Sequence, residues 1–504
     1  MLTPILNTIL LSLICALIAI PTGLALAVVL IRTNVYGRTW ASWLLGTQLA
    51  IPLYVFAGSW CAGVGTQGWL QAVGPMTLLW PFSFTAVQSI SGGPLLAVAF
   101  IHGLAAIPWV CLLCSLGLFW RNRSEEDLAR TEGGLAAVVK WAVLPRLKPW
   151  IAMAIVWCVI PVFTEMVITN LYQVPSLAEQ VYLDASRGEI TATTYFSAFG
   201  WSVLPLGLLL GILYWRTPPY QLVTARLEQH RAEEWILTTW RTYLSVFLWF
   251  FIALLVGFPL LNLVIKAAWH PILNDNGTTS YEVSGHRLLT TLRETATQFQ
   301  SEFYWTITIA VSATFLSLVI TLWMIKLAHN RRWLKHLYSI CALLMLATPG
   351  PLVGMLVIAM MNRASPAWMS MLYDQTIAPP VLAQQFRLLP LAWILGNVIK
   401  GSVSPSSHSL AALDGLTRWS LVKYVIWPQA GGRIKAACLF LFVTSCGELS
   451  CSILVLPPGI TTVSMRIFEL LHFGTRHHDA GLCLALVLLG WGVTWSVGKT
   501  LRDR

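Results

Sequence analysis

Long apolar segments are the feature that most restricts the fold of this chain. A helix needs roughly 20 apolar residues to cross a bilayer. Eleven segments satisfy this: 5–31, 40–62, 95–119, 149–172, 195–215, 243–266, 302–326, 336–361, 381–400, 433–455 and 480–498. Only 11% of the residues are charged, whereas soluble domains carry about 25%, so the chain cannot cover a soluble surface. The sequence therefore predicts an all-α polytopic integral membrane protein with about 11 transmembrane helices.

The positions of Lys and Arg predict the orientation of these helices. The net charge of +11 comes from basic residues at the ends of apolar segments, not from one patch, which argues against nucleic-acid binding. With the N-terminus outside, 24 of the 32 basic residues lie on the cytoplasmic side, as the positive-inside rule requires. We therefore expect a multi-pass protein with its N-terminus outside and its C-terminus in the cytoplasm. The first segment lacks a basic region and a cleavage site, so it is predicted to be a retained span.

Two polar stretches between apolar segments share one pattern. Residues 125–145 read EEDLARTEGGLAAVVKWAVLP, and residues 406–428 read SSHSLAALDGLTRWSLVKYVIWP. Each contains a glycine, Gly133 or Gly415, that can end a short helix in the left-handed conformation. Both stretches fall on the cytoplasmic side in the predicted topology. The chain is therefore expected to present the same cytoplasmic structure twice.

The two stretches are also followed by matched acidic residues. Each closes on a proline, Pro145 or Pro428, and an acidic residue, Glu165 or Glu448, follows 20 residues later. A carboxylate within a membrane span is costly and by default faces the bundle interior or a water-filled path. One hypothesis is that both residues line a translocation path or its gate. The alternative is a structural hydrogen bond from each residue to a neighbouring helix.

This recurrence predicts two parallel repeats. The first repeat would cover residues 1–215, with about 5 helices and a docking loop at 121–148. A charged cytoplasmic linker would follow at 216–242. The second repeat would cover residues 243–504, with about 6 helices and a docking loop at 401–432.

The polar stretches suit attachment to a soluble partner. A short helix ended by glycine can fit a groove on that partner, while the proline-started helix after it carries displacement into the membrane. Basic residues in both stretches are positioned to meet acidic groups: Arg130, Lys140, Arg418 and Lys423. The alternative is a pair of amphipathic helices that lie on anionic lipid. Two copies in register favour docking over lipid binding.

This pattern resembles the membrane permease subunits of binding-protein-dependent ABC importers. In that family the cytoplasmic loop reads approximately Glu-Ala-Ala, three residues, Gly, nine residues, Ile-x-Leu-Pro. The first copy here is one residue short and has Asp127 at the acidic position, and the second copy has Ser409 there and Trp427 in place of Leu. The resemblance implies that eight residues dock on ATPase subunits: Asp127, Ala129, Gly133, Pro145, Ser409, Ala411, Gly415 and Pro428.

A second resemblance concerns the cargo. Residues 447–474 are similar to the corresponding segment of fused ferric-iron permeases and of their thiamine-type relatives. The resemblance implies a transport subunit of the bacterial inner membrane that is not itself an enzyme and holds no cofactor. Its partners would be two copies of a cytoplasmic ATP-binding subunit, an extracytoplasmic substrate-binding protein and membrane lipid. Ferric iron is the expected cargo, with thiamine, a phosphonate, a polyamine or an oxyanion as alternatives.

Two other classes of function also fit a repeated membrane protein. An ion-coupled secondary carrier can be built from parallel repeats and needs no ATPase. No intramembrane Lys or His is evident at equivalent positions to pair with Glu165 and Glu448, which argues against a proton relay. A membrane scaffold that transports nothing would leave the matched carboxylates unexplained.

Three local motifs carry little functional weight. Residues 492–500, GVTWSVGKT, have five residues between the glycines, where a phosphate-binding loop needs four. Cys111 and Cys114 lie within an apolar segment, where buried packing is expected rather than redox or zinc chemistry. His477 and His478 are expected outside the membrane in a solvated loop and lack a third metal ligand nearby. We predict no metal site.

Overall fold

The protein is helical throughout most of the chain that the computed structural model describes. It describes residues 2–65, 68–70, 93–121, 123–187, 196, 199–207, 211, 230–231, 235, 238–273, 279–362, 367–403, 413, 417–473 and 477–502. In the first half the elements are α1 (Leu2–Arg32), α2 (Arg38–Gln48), α3 (Leu53–Val64), α4 (Gly93–Leu118), β1 (Trp120–Arg121), α5 (Arg123–Ala137), α6 (Leu144–Thr164), α7 (Val167–Leu171) and α8 (Leu177–Ser186). A strand of the linker, β2 (His230–Arg231), pairs antiparallel with β1.

The second half has the same helical character. Its elements are α9 (Trp240–Ile252), α10 (Phe258–Ala268), β3 (Trp269–Leu273), β4 (Thr279–Val283), α11 (Gly285–Gln298), α12 (Gln300–Leu327), α13 (Arg332–Ala347), α14 (Gly350–Met361), α15 (Ala367–Gln375), α16 (Ala378–Gly401), α17 (Arg418–Leu421), α18 (Trp427–Cys446), α19 (Val463–Phe473) and α20 (His478–Arg502). Strands β3 and β4 form an antiparallel hairpin. Short π-helical segments occur at Val138–Val143, Phe199–Val203, Ala253–Gly257 and Val422–Ile426.

Six to eight candidate membrane spans occur among the described residues. Six helical stretches are long and apolar enough to cross a bilayer: Leu2–Arg32, Gly93–Leu118, Val138–Thr164, Trp240–Ala268, Gln300–Leu327 and His478–Lys499. The pairs α2/α3 and α13/α14 each count as one further span if a bent pair crosses the membrane. The prediction of an all-α polytopic membrane protein is confirmed, but the count of eleven is not. Predicted segments 381–400 and 433–455 fall on α16 and α18, which are not among the candidate spans. Of the predicted segment 195–215, the structure describes residues 196, 199–207 and 211.

Two of the predicted spans are sharply bent. Helix α3 turns 104° away from α2, and α14 turns 108° away from α13. Pro52 and Pro349 stand at these turns with extended backbone, immediately before α3 and α14. A proline disfavours helical geometry in the residue before it, so each apolar run divides there. The bend at Pro52 brings residues 49–52 to the cavity described below.

The same succession of packed helices occurs twice. Helices α1, α4 and α6 contact one another in the first half, and α12, α16 and α18 do so in the second. A bent pair follows the first helix of each set, and a π-helical segment precedes the last. A buried apolar cluster contains side chains from both halves, including Tyr54, Met166, Leu449, Val463 and Ile467. This cluster lies beside the two matched acidic residues.

Candidate translocation cavity and docking segments

Glu165 and Glu448 lie just beyond the ends of two helices. Helix α6 ends at Thr164, and α18 ends at Cys446. The predicted spans 149–172 and 433–455 are therefore wrong as continuous helices, because each is broken near its carboxylate. At Glu165 the backbone is extended, with φ −97° and ψ 129°. Each carboxylate thus lies where backbone N–H groups have left the helical ladder and need acceptors.

The two carboxylates accept equivalent backbone hydrogen bonds. Glu165 Oε1 accepts from the Val167 N–H at 2.8 Å, and Glu448 Oε1 accepts from the Cys451 N–H at 2.7 Å. Glu165 Oε1 also accepts a 2.7 Å hydrogen bond from the Ser450 hydroxyl of the other half. A hydrogen bond to a neighbouring segment, which was the alternative hypothesis, is therefore present for Glu165, whereas the hydrogen bond to Glu448 Oε1 stays within its own turn.

A cavity of about 270 Å³ opens between the two halves of the molecule. First-half residues line it from the turn at 48–53, from α4 and from α6, and second-half residues line it from α16, from α18 and at Glu448. Glu165 is not among the lining residues. Of the two matched carboxylates, Glu448 is therefore the one that lines this cavity.

His102 is a polar residue of the cavity wall that the sequence analysis missed. It lies within α4, is 3% exposed, and its Nε2 is buried with no hydrogen-bond partner in the described part of the chain. An unsatisfied buried polar atom costs about 1–3 kcal/mol. The signal was available, since an ionisable residue inside an apolar span marks a functional position by default.

Aromatic side chains form another part of the wall. The ring centroids of Trp109 and Trp157 are 4.8 Å apart, and Phe440 lies edge-on to Trp109 at 6.5 Å. All three residues line the cavity. Because indole faces carry negative electrostatic potential, such a wall attracts organic cations.

The first predicted docking loop contains a helix, α5, followed by a π-helical segment. Asp127 and Gly133 are exposed, Ala129 is 6% exposed, and exposed Pro145 begins α6. Helix α5 bends at Gly133 and Gly134. The glycine with positive φ is Gly134, with φ 66° and ψ −153°, whereas Gly133 has φ −159° and ψ 22°. Gly133 therefore does not adopt the left-handed helical conformation that the sequence predicted for it.

In the second predicted docking loop, 401–432, the structure describes residues 401–403, Leu413 and the residues from Thr417 onward. Ser409, Ala411 and Gly415 lie outside the described residues. Pro428 is exposed and begins α18, as Pro145 begins α6. The proline-started helix is thus present in both copies.

Matched Lys–aromatic pairs precede both prolines. Lys140 Nζ lies 4.8 Å from the Trp141 ring centroid, and Lys423 Nζ lies 5.0 Å from that of Tyr424. Trp141 is 67% exposed and Tyr424 is 62% exposed. Each aromatic residue stands four positions before its proline, in a π-helical segment. The two lysines were predicted from the sequence and their aromatic neighbours were not, although the shared spacing indicates both.

A buried ion pair attaches α5 to the membrane helices. Arg32 Nη2 lies 2.7 Å from Glu126 Oε2, and the two side chains are 1% and 6% exposed. Arg32 also lies over the ring of linker residue Trp235 at 5.1 Å, and the Trp235 N–H donates to the Arg32 carbonyl. The first predicted docking loop, the predicted linker and α1 therefore meet at Arg32. This role of Arg32 was not predicted from the sequence.

The predicted outer side holds a second buried ion pair, which the sequence analysis also missed. Lys266 Nζ lies 2.6 Å from Asp479 Oδ2 and joins α10 to α20. His477 is half-buried, and its Nδ1 lies 3.2 Å from the Lys266 carbonyl oxygen. Burial is the largest cause lowering the pKa of His477. No group of three metal-ligating side chains occurs among the residues searched, which are those described.

Comparison with known proteins gives one informative similarity. No protein-family model matches the chain. Over 111 residues the chain is 29% identical to a putative 2-aminoethylphosphonate transport system permease protein of Salmonella paratyphi A. The matched region is 22% of this chain and 42% of the relative, so the chain matches less than half of that protein's length.

The fold and this similarity define a class. The chain is an all-α, multi-pass membrane protein, and it is similar to permeases rather than to enzymes. The similarity supports an ABC-type permease in general and does not support the ferric-iron or thiamine type in particular.

Proposed function

We propose that this chain is the fused membrane permease subunit of a binding-protein-dependent ABC importer. The observation that carries the proposal is the pair of exposed Lys–aromatic segments, Lys140–Trp141 and Lys423–Tyr424. Each precedes a proline-started helix that ends next to one of the matched carboxylates. The similarity to a phosphonate permease supports the same class.

The proposed partners follow from the two segments. Two copies of a cytoplasmic ATP-binding subunit would dock, one on each segment, and an extracytoplasmic binding protein would deliver the cargo. Large exposed aromatic side chains suit such contacts because they bury much apolar area with little loss of conformational entropy. This polypeptide would hydrolyse no ATP itself.

The proposed mechanism uses the helices that the docking segments begin. Closure of the ATPase subunits would displace both segments, and α6 and α18 would carry the movement to the cavity between the halves. Because Glu165 and Glu448 terminate these helices and Ser450 links the halves, a shift of either helix would reach this junction. The cavity would then open alternately to either side of the inner membrane.

Two cargoes are proposed. Ferric iron remains the cargo that residues 447–474 imply through their resemblance to iron permeases. The relative's printed description favours a phosphonate, which was among the alternatives. A cavity of about 270 Å³ is slightly below the usual size of ligand pockets, roughly 300–1,000 Å³, and suits a small cargo.

Transport in sealed proteoliposomes tests the function. The vesicles would contain this chain with its ATPase subunits, with binding protein outside and ATP inside. Uptake of radiolabelled 2-aminoethylphosphonate or ferric iron that requires ATP and binding protein is the expected result. Uptake driven by an ion gradient without ATP would instead identify a secondary carrier, and absence of any ATP-dependent uptake or ATPase stimulation would reject the importer.

A further inference from the structure

We propose that the cavity between the halves contains a binding subsite for a small zwitterion, an amine with an oxyanion group at its other end. This inference rests on the proposed import function and assigns the chemistry of the cargo. Glu448 and the Trp109–Trp157 pair would bind the ammonium group. His102 would bind the oxyanion.

The cationic end fits the acidic and aromatic part of the wall. Glu448 lines the cavity, and its Oε1 accepts a hydrogen bond from the Cys451 N–H, which orients the carboxylate. Trp109 and Trp157 line the same cavity with ring centroids 4.8 Å apart. A carboxylate and indole rings in the wall of one cavity suit an organic ammonium, since both attract positive charge in a partly dry site.

The anionic end fits His102. Its Nε2 is buried and unpartnered in the described structure, although buried polar atoms in proteins are nearly always hydrogen-bonded. In the neutral tautomer that carries its hydrogen on Nε2, His102 donates to a phosphonate or carboxylate oxygen. The neutral ring does not repel that oxyanion, as a carboxylate would. His102 and Glu448 belong to opposite halves of the chain, so a zwitterion would bridge the two halves.

The two acidic residues differ in a way that supports this assignment. Glu165 Oε1 accepts hydrogen bonds from both Val167 and Ser450, and the residue does not line the cavity. Glu448 lines it, and its Oε1 accepts from the Cys451 N–H of its own turn. The two carboxylates at matching positions therefore differ in their surroundings: Glu165 is hydrogen-bonded to Ser450 between the halves, and Glu448 lines the cavity.

Calorimetric binding to the purified permease in lipid nanodiscs tests the subsite without ATPase. The probes are 2-aminoethylphosphonate, ethylphosphonate, which lacks the amine, and ethylamine, which lacks the oxyanion. We expect Glu448→Gln to weaken binding of 2-aminoethylphosphonate by about tenfold or more and to leave ethylphosphonate unaffected. His102→Leu should weaken both phosphonates, and His102→Gln should restore part of the affinity. Glu179→Gln, a buried carboxylate outside the cavity wall, is the matched control.

Several outcomes would overturn the subsite. These are equal losses for 2-aminoethylphosphonate and ethylphosphonate in Glu448→Gln, equal losses in the Glu179→Gln control, or no wild-type binding at about 1 mM ligand. Glu448→Asp, which keeps the charge, provides a second variant if Glu448→Gln does not fold. Parallel uptake assays separate this failure from that of the importer. ATP-driven uptake that is unchanged in these variants would reject the subsite alone, whereas binding without ATP-driven uptake would reject the importer alone.

Discussion

The Ser450 hydroxyl donates a 2.7 Å hydrogen bond to Glu165 Oε1 and so joins the two halves of the chain. Ser450 belongs to the turn after α18, and Glu165 follows α6. Gly350, at the start of α14, packs so closely on Ser450 that a Cβ there would overlap the serine Cβ. Three segments, from both halves, therefore fix this bond.

Ser450→Ala should lower the free energy of unfolding by about 2 kcal/mol, because a hydrogen bond to a carboxylate contributes about 1.5–3 kcal/mol. The control is Ser452→Ala. Ser452 is equally buried, but its hydroxyl reaches only the carbonyl oxygens of Glu448 and Leu449, at 3.4 and 3.3 Å. Denaturant unfolding of the purified protein in detergent measures both. If the two substitutions lowered the free energy of unfolding equally, the Ser450–Glu165 hydrogen bond would add no more stability than the local hydrogen bonds of Ser452.

Removing one partner of the Arg32–Glu126 pair should lower the free energy of unfolding strongly. Glu126→Gln leaves the guanidinium of Arg32 buried beside a neutral side chain, for which losses of about 3–5 kcal/mol are typical. The neighbouring Glu125→Gln should cost less than about 1 kcal/mol, because Glu125 is 59% exposed and lies 3.3 Å from Arg146. Melting temperatures of the two variants, compared at one pH, measure the difference. A Glu126→Gln variant as stable as Glu125→Gln would contradict the structural role of this pair.

Much of the membrane fold was predictable because it depends on local composition. The segment 5–31 became α1 at Leu2–Arg32, since apolar length alone decides whether a helix spans a bilayer. The breaks were harder to predict. The bend at Pro52 had a local signal in the proline, and the end of α18 at Cys446 had one in Gly447. Apolar residues resume at 453–456, however, so residues 433–455 were predicted as one span.

The candidate site was predictable only in part. Matched spacing identified Glu165 and Glu448, but spacing cannot show that one faces a cavity and the other a serine of the opposite half. Those differences come from contacts between residues hundreds of positions apart. His102 and Arg32 were visible as polar residues in or beside α1 and α4. The partner of Arg32 and the lack of a partner at His102 Nε2 among the described residues depend on tertiary packing, which a local sequence pattern does not determine.

Gly134 should be more sensitive to substitution than its neighbours in α5. Its φ of 66° with ψ −153° lies in a region that is essentially restricted to glycine. Gly134→Ala should therefore strain the backbone by about 1–3 kcal/mol and shift the bend of α5, although no atom lies within 4 Å of the added Cβ. We expect reduced ATPase stimulation with normal membrane insertion, while exposed Glu132→Ala keeps wild-type stimulation.

Gly133→Val and Gly415→Val are also expected to uncouple transport from ATP hydrolysis while the protein still inserts. At Gly133 the reason is packing rather than backbone conformation, because an added Cβ would lie 2.9 Å from that of Ala137. Normal ATP-driven uptake in both valine variants would contradict the docking role of the two segments.

Trp141→Ala and Tyr424→Ala separate docking from lipid binding. Both side chains are more than half exposed, so their loss should change the free energy of unfolding by no more than about 0.5 kcal/mol. If they contact ATPase subunits, each variant should bind the subunits more weakly, and the double variant should not stimulate ATP hydrolysis. Pull-down of the ATPase with permease in nanodiscs measures this. The lipid alternative would be favoured by two results together. ATPase binding would be unchanged, and a peptide of residues 137–145 that carries Trp141→Ala would bind anionic vesicles more weakly than the wild-type peptide.

Cysteine labelling tests the predicted orientation, which places 24 of 32 basic residues inside. Thr131 is exposed on α5, and Thr297 is exposed on α11 at the other predicted face. In a background with Cys341→Ser, which removes the exposed cysteine of the described residues, a membrane-impermeant maleimide should label Thr297→Cys in intact spheroplasts. It should label Thr131→Cys only after lysis. The reverse pattern would place both docking segments outside the cell, where no ATP-binding subunit could reach them, and would reject both the topology and the importer.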